Sequence, residues 1–210
     1  MQESISNLSE RDIKELCLRS RPIPNSCFGL LHSLTLDGFQ FFSDVLLPLN
    51  LLPFLTNLET LQVGYSRSLK AIFDVKCTTK GTSFTFPLKT LTLSNLPNLK
   101  NIWNEDPHGI LSMHHLQQVH VKECEGLSSV FPTSVARDIK ELENLVVEDC
   151  QGLITIVTED NTDRSLEVKF PCPCVRSLEL RGLPKFKYFY YCLLKSERVR
   201  TIVLPLSPSL

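Results

Sequence analysis

Glycine and net charge are both scarce in this sequence. The 210 residues include 8 glycines, no two of which lie closer than nine residues. This spacing excludes the glycine-rich loops of dinucleotide-binding and P-loop proteins and the G-x-S-x-G turn of many hydrolases. No H-E-x-x-H zinc motif occurs either. With 22 basic and 23 acidic side chains, the chain lacks the positive charge with which proteins neutralise the phosphates of nucleic acids.

A long hydrophobic run is also missing. Residues 1–15 contain no apolar segment of the kind that a secretory signal peptide needs. The most apolar stretch, residues 46–55, includes Pro48 and Pro53 and is too short to span a bilayer. We therefore expect a cytoplasmic protein with no membrane partner, in which the eight cysteines are free thiols.

Leucine, by contrast, supplies 36 of the 210 residues, and its spacing is regular. The pattern L-x-x-L-x-L, with other aliphatic residues in place of some leucines, occurs eight times at intervals of 18 to 33 residues. The copies begin at Ile13, Leu31, Leu58, Leu88, Leu116, Leu142, Val175 and Val199. In six copies the residues at 8, 11 and 14 positions after the start are also apolar, with Ser66 as the one polar exception. A register of this length indicates an internal repeat.

The repeat predicts both the local structure and the fold. The L-x-L part alternates with period two, which is the pattern of a short strand with one buried face. Because one repeat cannot bury its own apolar face, we expect successive strands to stack in parallel. We predict an α/β leucine-rich-repeat solenoid of about eight irregular repeats, with a curved parallel sheet on its concave side and short helices and loops on its convex side. It forms a single domain over residues 1–210, in which the repeats are clearest over residues 31–190.

The segments between the strands are less regular. Ser134 is a suitable capping residue and precedes apolar residues at helical spacing, which predicts a short amphipathic helix over residues 134–142. A similar helix is expected over residues 109–116. Residues 40–56 are apolar but contain two prolines, so we expect a packed irregular segment there.

Two cysteines and several aromatic residues are assigned to the interior. Cys124 and Cys150 occupy the same repeat position, eight residues after the start, and we interpret them as small buried residues. Trp103 directly follows an interior position, so we expect it to fill the convex side of the solenoid, together with the aromatic residues of 186–191. The alternative is that these aromatic residues form an interface hot spot.

Four stretches resemble a known family more closely than a generic repeat does. They read LKTLTLSNLPNLKNIW, LQQVHVKECEGLSSVFPTSVA, LENLVVEDCQGLITIV and VRSLELRGLPKFKYFY. They are similar to the leucine-rich-repeat region of plant coiled-coil NB-ARC disease-resistance proteins, over residues 31–190. The resemblance implies a recognition module whose partner is a pathogen effector, a guarded host protein or another domain of a receptor. No P-loop is present, so neither ATP binding nor any other cofactor is implied, and the sequence is interpreted as a fragment, a truncated paralogue or a partial gene model.

The side chains between the buried strand residues point to the opposite, concave face and are the candidates for binding. In the carboxy-terminal half they form a mixed-charge patch that suits a protein partner. The predicted site consists of Gln118, His120, Lys122, Asn144, Glu148, Ser177, Glu179 and Arg181. The alternative is that these are ordinary solvated strand residues. No residue is assigned to catalysis, to a cofactor or to a metal ion.

Other constellations support other functions more weakly. Cys172 and Cys174 supply only half of a zinc site. An enzyme that uses Cys174 or His120 as its reactive group is one alternative function, although the sequence shows no partner geometry for either. A substrate adaptor of a ubiquitin ligase is the other alternative, and the lack of an F-box-like helical segment in the first residues argues against it.

Overall fold

The computed structural model describes residues 29–38, 44–49, 51–75, 84–158 and 175–187, and the backbone of 201–203. In chain order the elements are β1 (Ser33–Asp37), β2 (Val45–Pro48), a 3₁₀ helix (Leu52–Phe54), β3 (Thr60–Gly64), β4 (Ala71–Asp74), β5 (Phe84–Thr85), β6 (Thr90–Ser94), β7 (Asn101–Trp103), β8 (Leu111–Ser112), β9 (Gln118–Lys122), β10 (Ser129–Phe131), α1 (Thr133–Asp138), β11 (Asn144–Glu148), β12 (Thr155–Val157), β13 (Ser177–Arg181) and β14 (Thr201–Val203). The copy that begins at Ile13 lies outside the described residues.

One parallel sheet contains a strand from each of the seven described repeats. Its order is β1-β3-β6-β9-β11-β13-β14, and each strand pairs with the next at equivalent repeat positions, so that Leu61 lies beside Leu91 and Leu145 beside Leu178. These four leucines are fully buried. The predicted solenoid is therefore confirmed, and its register is fixed because a shift of one residue would turn every buried leucine toward solvent.

Each strand of this sheet leaves it through the same unusual backbone conformation. The residue seven positions after the start of the repeat has a positive φ in all six repeats from Leu31 to Val175: these residues are Gly38, Tyr65, Asn95, Glu123, Asp149 and Gly182. The N–H of each of the first five donates to a carbonyl of the following repeat, at 2.9 to 3.0 Å. This row of residues, called the exit edge below, lets the chain turn away from the sheet while the inter-strand hydrogen bonds continue.

The opposite side of the solenoid consists mainly of short strands. They form three small parallel sheets, β2-β4-β7, β5-β8 and β10-β12. The helix predicted over residues 109–116 is wrong, because this segment contains β8, which pairs with β5. Asp138 holds that extended segment by accepting hydrogen bonds from the Ser112 hydroxyl and the Met113 N–H, each at 2.7 Å. The irregular segment predicted over residues 40–56 contains β2 and the 3₁₀ helix.

Helix α1 is the α-helix that the described residues contain, and both of its ends differ from the prediction, since it ends at Asp138 and not at residue 142. It begins at Thr133, and Ser134 is not its cap. The Asp106 carboxylate of the preceding repeat accepts hydrogen bonds from the Ser134 N–H, at 3.1 Å, and from the Ser134 hydroxyl. A carboxylate is a strong acceptor and its charge suits a helix amino terminus. The cap is therefore supplied by a residue from another repeat, while Ile139 and Leu142 are buried as expected.

Aromatic side chains fill the interior between the main sheet and the small sheets. Trp103 is 4% exposed, stacks on Phe73 with ring centres 5.6 Å apart, and lies 6.0 Å from the ring of Phe131. This confirms the interior position of Trp103. The polar exception Ser66 is 1% exposed and shares a hydrogen bond with Ser68 at 3.2 Å, which satisfies its buried hydroxyl. Residues 188–191 lie outside the described part of the chain.

Candidate functional site

The eight predicted site residues lie together on three neighbouring strands. They belong to β9, β11 and β13, which are adjacent in the main sheet. The register places them in rows that run across the strands. The row nearest the exit edge contains Lys122, Glu148 and Arg181. All eight side chains are exposed or partly exposed, while the alternating residues of the same strands are buried. We call these eight residues the open-face patch. Their role in binding stays a prediction.

Glu148 is the centre of a network of side-chain contacts in this patch. Its two carboxylate oxygens lie 3.8 Å from His120 Nε2 and 3.6 Å from Arg181 Nη1. The other terminal nitrogen of Arg181 contacts Glu179 Oε2 at 3.0 Å. Glu148 is 21% exposed, whereas Arg181 is 53% exposed. The network thus connects three strands and leaves the guanidinium open to solvent.

Lys122 does not join this network, although it is the register neighbour of Glu148. Its ammonium group instead lies 3.7 Å from Glu123 Oε1, at the exit edge. Exposed ion pairs of this kind contribute only about 0–1 kcal/mol to stability. The fold therefore depends little on the charges of the patch, which leaves them free to contact a partner.

The remaining side chains of the patch offer unused hydrogen-bonding groups. Gln118 is exposed, and Asn144 and Ser177 are partly exposed. None of these three side chains donates to or accepts from another residue in the described part of the chain. Val146 lies among them and adds a small apolar surface. The patch therefore combines charge, amide and hydroxyl groups, as protein-binding surfaces do.

The two described cysteines are interior residues, as predicted. Cys124 and Cys150 are fully buried and unpaired, and their thiols donate to the carbonyl oxygens of Lys122 (3.4 Å) and Glu148 (3.3 Å). A hydrogen bond with Cys150 and burial raise the pKa of the Cys124 thiol. A buried thiol of raised pKa is a poor nucleophile. Cys172, Cys174 and Cys192 lie outside the described residues.

The histidines do not converge on one site. The rings of His114 and His115 are 4.0 Å apart, but His114 shares a hydrogen bond with Ser112 while His115 Nδ1 lies 3.6 Å from Glu141. His120 contacts the open-face network instead. Within the described ranges, no three His, Cys, Asp or Glu side chains are grouped so that they could hold a metal ion. No helix in those ranges has the length and apolarity to cross a membrane.

Sequence reasoning missed the exit edge as a candidate surface. The signal was present, because Gly38 and Gly182 occupy the same repeat position and glycine favours a positive φ. The other repeats place larger residues there, among which Tyr65 is 64% exposed. The conformation of the whole row could be inferred only once the repeats were placed in one register.

A family model for leucine-rich repeats, described as those of RPS2-like plant disease resistance proteins, matches residues 2–151. Comparisons with curated proteins and with solved structures give no match. The matched region spans 150 of the 210 residues and includes the main-sheet strands β1, β3, β6, β9 and β11. These five described strands are stacked in parallel. The chain belongs to the leucine-rich-repeat family of RPS2-like plant disease resistance proteins.

Proposed function

We propose that the chain is a non-catalytic protein-recognition module of plant defence that acts in the cytoplasm and binds its partner through the open-face patch. The observation that carries this proposal is the ion pairing of Arg181 with Glu148 and Glu179 beside polar side chains with unused hydrogen-bonding groups. The family supports a recognition role in general. The partner is a pathogen effector, a guarded host protein or another domain of a receptor.

The network gives this surface a defined charge pattern rather than a single sign. Arg181 contacts two carboxylates, and because its side chain is 53% exposed, its guanidinium can still donate to an acidic group of a partner. The partner is expected to place a carboxylate opposite Arg181 and a hydrogen-bonding edge opposite Gln118 and Asn144.

A site-specific crosslinking experiment tests which face of the solenoid meets the partner. A photoreactive amino acid is introduced at His120 in one variant and at Lys70 in another, and each protein is exposed to an extract of infected plant tissue. His120 and Lys70 are similarly exposed, at 46% and 53%, and Lys70 lies outside the main sheet. If the proposal is correct, the photoreactive residue at position 120 crosslinks discrete partner proteins, and the one at position 70 does not crosslink those proteins.

Charge reversal provides the matched control. Glu148→Lys with Arg181→Glu inverts the network, while Asp44→Lys with Lys70→Glu inverts an exposed ion pair of 2.8 Å elsewhere. The first pair of changes should abolish the crosslinks at position 120, and the second should leave them intact. Crosslinks that survive inversion of the network, or that arise equally from position 70, contradict the proposal.

A further inference from the structure

Two cysteines from successive repeats lie side by side in the interior. Cys124 and Cys150 occupy the same repeat position, and each follows a residue with a φ of 53°. Their strands, β9 and β11, are neighbours in the main sheet. Equivalent hydrogen bonds close the turns after them, from Leu127 N–H to Cys124 O at 3.2 Å and from Leu153 N–H to Cys150 O at 3.1 Å. The two cysteines are therefore about one strand spacing apart, or about 4.8 Å between Cα atoms, and a disulfide bond spans about 4.4–6.8 Å.

The thiols are close enough to interact directly. They lie within hydrogen-bonding reach of each other. Gly152, two residues after Cys150, has no side chain, and a Cβ atom there would overlap the carbonyl oxygen of Glu125, the residue after Cys124. The two turns thus pack backbone against backbone, and no side chain of Gly152 holds them apart.

Conversion of the two thiols into a disulfide leaves their hydrogen-bond acceptors satisfied. Each thiol donates to a carbonyl oxygen, that of Lys122 or that of Glu148. The Lys122 oxygen also accepts from the Asn95 N–H at 2.9 Å, and the Glu148 oxygen from the Glu123 N–H at 3.0 Å. Both carbonyl groups therefore keep a backbone partner when the S–H donors are lost, which avoids the cost of a buried unsatisfied group.

We propose that Cys124 and Cys150 form an oxidisable dithiol that hydrogen peroxide converts into a disulfide bond. The Cys150 thiolate attacks one peroxide oxygen, the O–O bond breaks, and the departing oxygen takes a proton and leaves as water. Cys150 is then a sulfenic acid. The Cys124 sulfur attacks the Cys150 sulfur, the S–O bond breaks, and a second water leaves with the Cys124 proton. The two sulfur atoms lose two electrons in total, and the peroxide gains them.

The environment of the pair assigns the order of these steps. The hydrogen bond from Cys124 lowers the pKa of the Cys150 thiol, whereas the same contact and burial raise the pKa of Cys124. The thiolate is the nucleophilic form of cysteine. Cys150 therefore reacts with the oxidant, and Cys124 resolves the sulfenic acid.

The position of the pair favours a small, uncharged oxidant. Both cysteines are fully buried, but the residues on either side of each are exposed: Glu123, Glu125, Asp149 and Gln151. The thiols thus lie directly beneath the surface, where a local opening of one turn admits a small molecule. Three of these four residues carry carboxylates, which repel anionic oxidants such as glutathione disulfide. Hydrogen peroxide has no charge.

A metal ion explains the pair less well than a disulfide does. Structural zinc requires four ligands, and within the described ranges no third His, Cys, Asp or Glu joins the two cysteines in a group that could hold a metal ion. The proposal does not rest on the open-face patch, because the reaction involves only the two interior thiols. Either proposal can therefore fail its test without affecting the other.

Peptide mapping of the unaltered chain tests the proposal. The native protein is treated with hydrogen peroxide, its remaining thiols are alkylated, and it is digested with trypsin. Cys124 and Cys150 are then the single cysteines of peptides 123–137 and 141–164, so mass spectrometry identifies their linkage directly. We expect this linkage to be at least about tenfold more abundant than any linkage of either residue to another cysteine. The same treatment in denaturing urea is the control and should remove that preference.

Two single variants test the order of the steps. In Cys124→Ala no resolving thiol is present, so peptide 141–164 should carry the dimedone adduct of a sulfenic acid. In Cys150→Ala the adduct on peptide 123–137 should be at least about tenfold weaker. Circular dichroism checks that both variants remain folded. The disulfide-bonded native chain should melt about 5–10 °C higher than the reduced chain, because the bond constrains the unfolded state.

Four results would overturn the proposal. The first is a native protein in which the linked peptide is absent or no more abundant than after treatment in urea. The second is a dimedone adduct that forms as readily on Cys124 as on Cys150. The third is equal linkage by glutathione disulfide, which would contradict the preference for an uncharged oxidant. The fourth is a lower melting temperature after oxidation, which would show that the bond does not fit the native fold.

Discussion

The register of the main sheet predicts opposite results for two adjacent substitutions in β11. Leu145 is fully buried between Val119 of β9 and Leu178 of β13. Val146 follows it on the opposite, partly exposed face. Leu145→Ala should therefore destabilise the protein strongly and Val146→Ala only slightly. If the strand were shifted by one residue, the two results would be exchanged.

The expected magnitudes follow from what each substitution removes. Leu145→Ala deletes three carbon atoms from a site with no access to water, a loss of about 2.4 kcal/mol at about 0.8 kcal/mol for each carbon. The cavity left between two neighbouring strands raises the expected loss to about 3–5 kcal/mol. Val146→Ala deletes two carbons from a surface that water can reach, so the expected loss is below about 1 kcal/mol.

Urea unfolding followed by two probes measures both variants. Circular dichroism reports the sheet, and the fluorescence of Trp103, the single tryptophan, reports the aromatic interior beside Phe73 and Phe131. Repeat proteins can unfold in parts, so the two probes must give the same transition before a free energy is derived. The reasoning is refuted if Val146→Ala destabilises as much as Leu145→Ala does, or if Leu145→Ala changes the unfolding free energy by less than about 1 kcal/mol.

Three further predictions concern contacts between repeats. Asp106→Ala removes the cap of α1 and should lower the free energy of unfolding by about 1–2 kcal/mol in urea titrations; no change would mean that the cap contributes nothing. The Lys89 ammonium donates a hydrogen bond of 2.8 Å to the Glu59 carboxylate, and this bond lowers the pKa of Glu59. The pair therefore stabilises the fold at pH values above the ordinary pKa of Glu59, and this stabilisation is lost as the pH falls through the lowered pKa. Lys89→Met should return the Glu59 pKa, followed by nuclear magnetic resonance, toward its ordinary value. A Cβ at Gly152 would overlap a carbonyl oxygen of the preceding repeat, whereas at Gly126 the nearest oxygen lies 2.8 Å away, so Gly152→Ala should lower the melting temperature more than Gly126→Ala.

The strands of the main sheet were predictable because their determinants are local. In β6 the buried residues Leu91 and Leu93 alternate with Thr92, and this pattern specifies both the strand and the face that it buries. The burial of the residue fourteen positions after the start of a repeat was also predicted correctly for Ile72 and Ile102, which are both buried. These residues pack against their equivalents in the next repeat, so the sequence of a single repeat contains most of the information.

The other side of the solenoid was less predictable because its determinants lie in other repeats. Leu111 is extended because it pairs with Phe84, although the composition of its own segment is compatible with a helix. Ser134 has the right side chain for a cap, yet Asp106, which lies 28 residues earlier, takes that role. Long-range contacts of this kind decide short segments whose intrinsic preference is weak.

For the candidate site, the sequence predicted the positions but not the pairing. Period-two alternation and a common register are sufficient to bring Lys122, Glu148 and Arg181 into one row. They do not determine which charges meet. Glu148 pairs diagonally with His120 of the neighbouring strand, while Lys122 turns toward Glu123. Flexible side chains on an exposed face choose among partners of similar energy, so the network became visible only in the structure.

The repeat architecture separates the residues that stabilise the protein from those that can vary. Inward residues such as Leu145 are packed against both neighbouring repeats, so each affects stability strongly, whereas Glu148 and Arg181 face solvent and affect it little. The exit edge is the exception, because its backbone conformation is imposed on whichever side chain occupies it. Tyr65 therefore lowers stability without contributing to the core. Tyr65→Asn should therefore raise the melting temperature, because asparagine adopts a positive φ more readily than tyrosine does, and an unchanged or lower melting temperature would contradict this account of the exit edge.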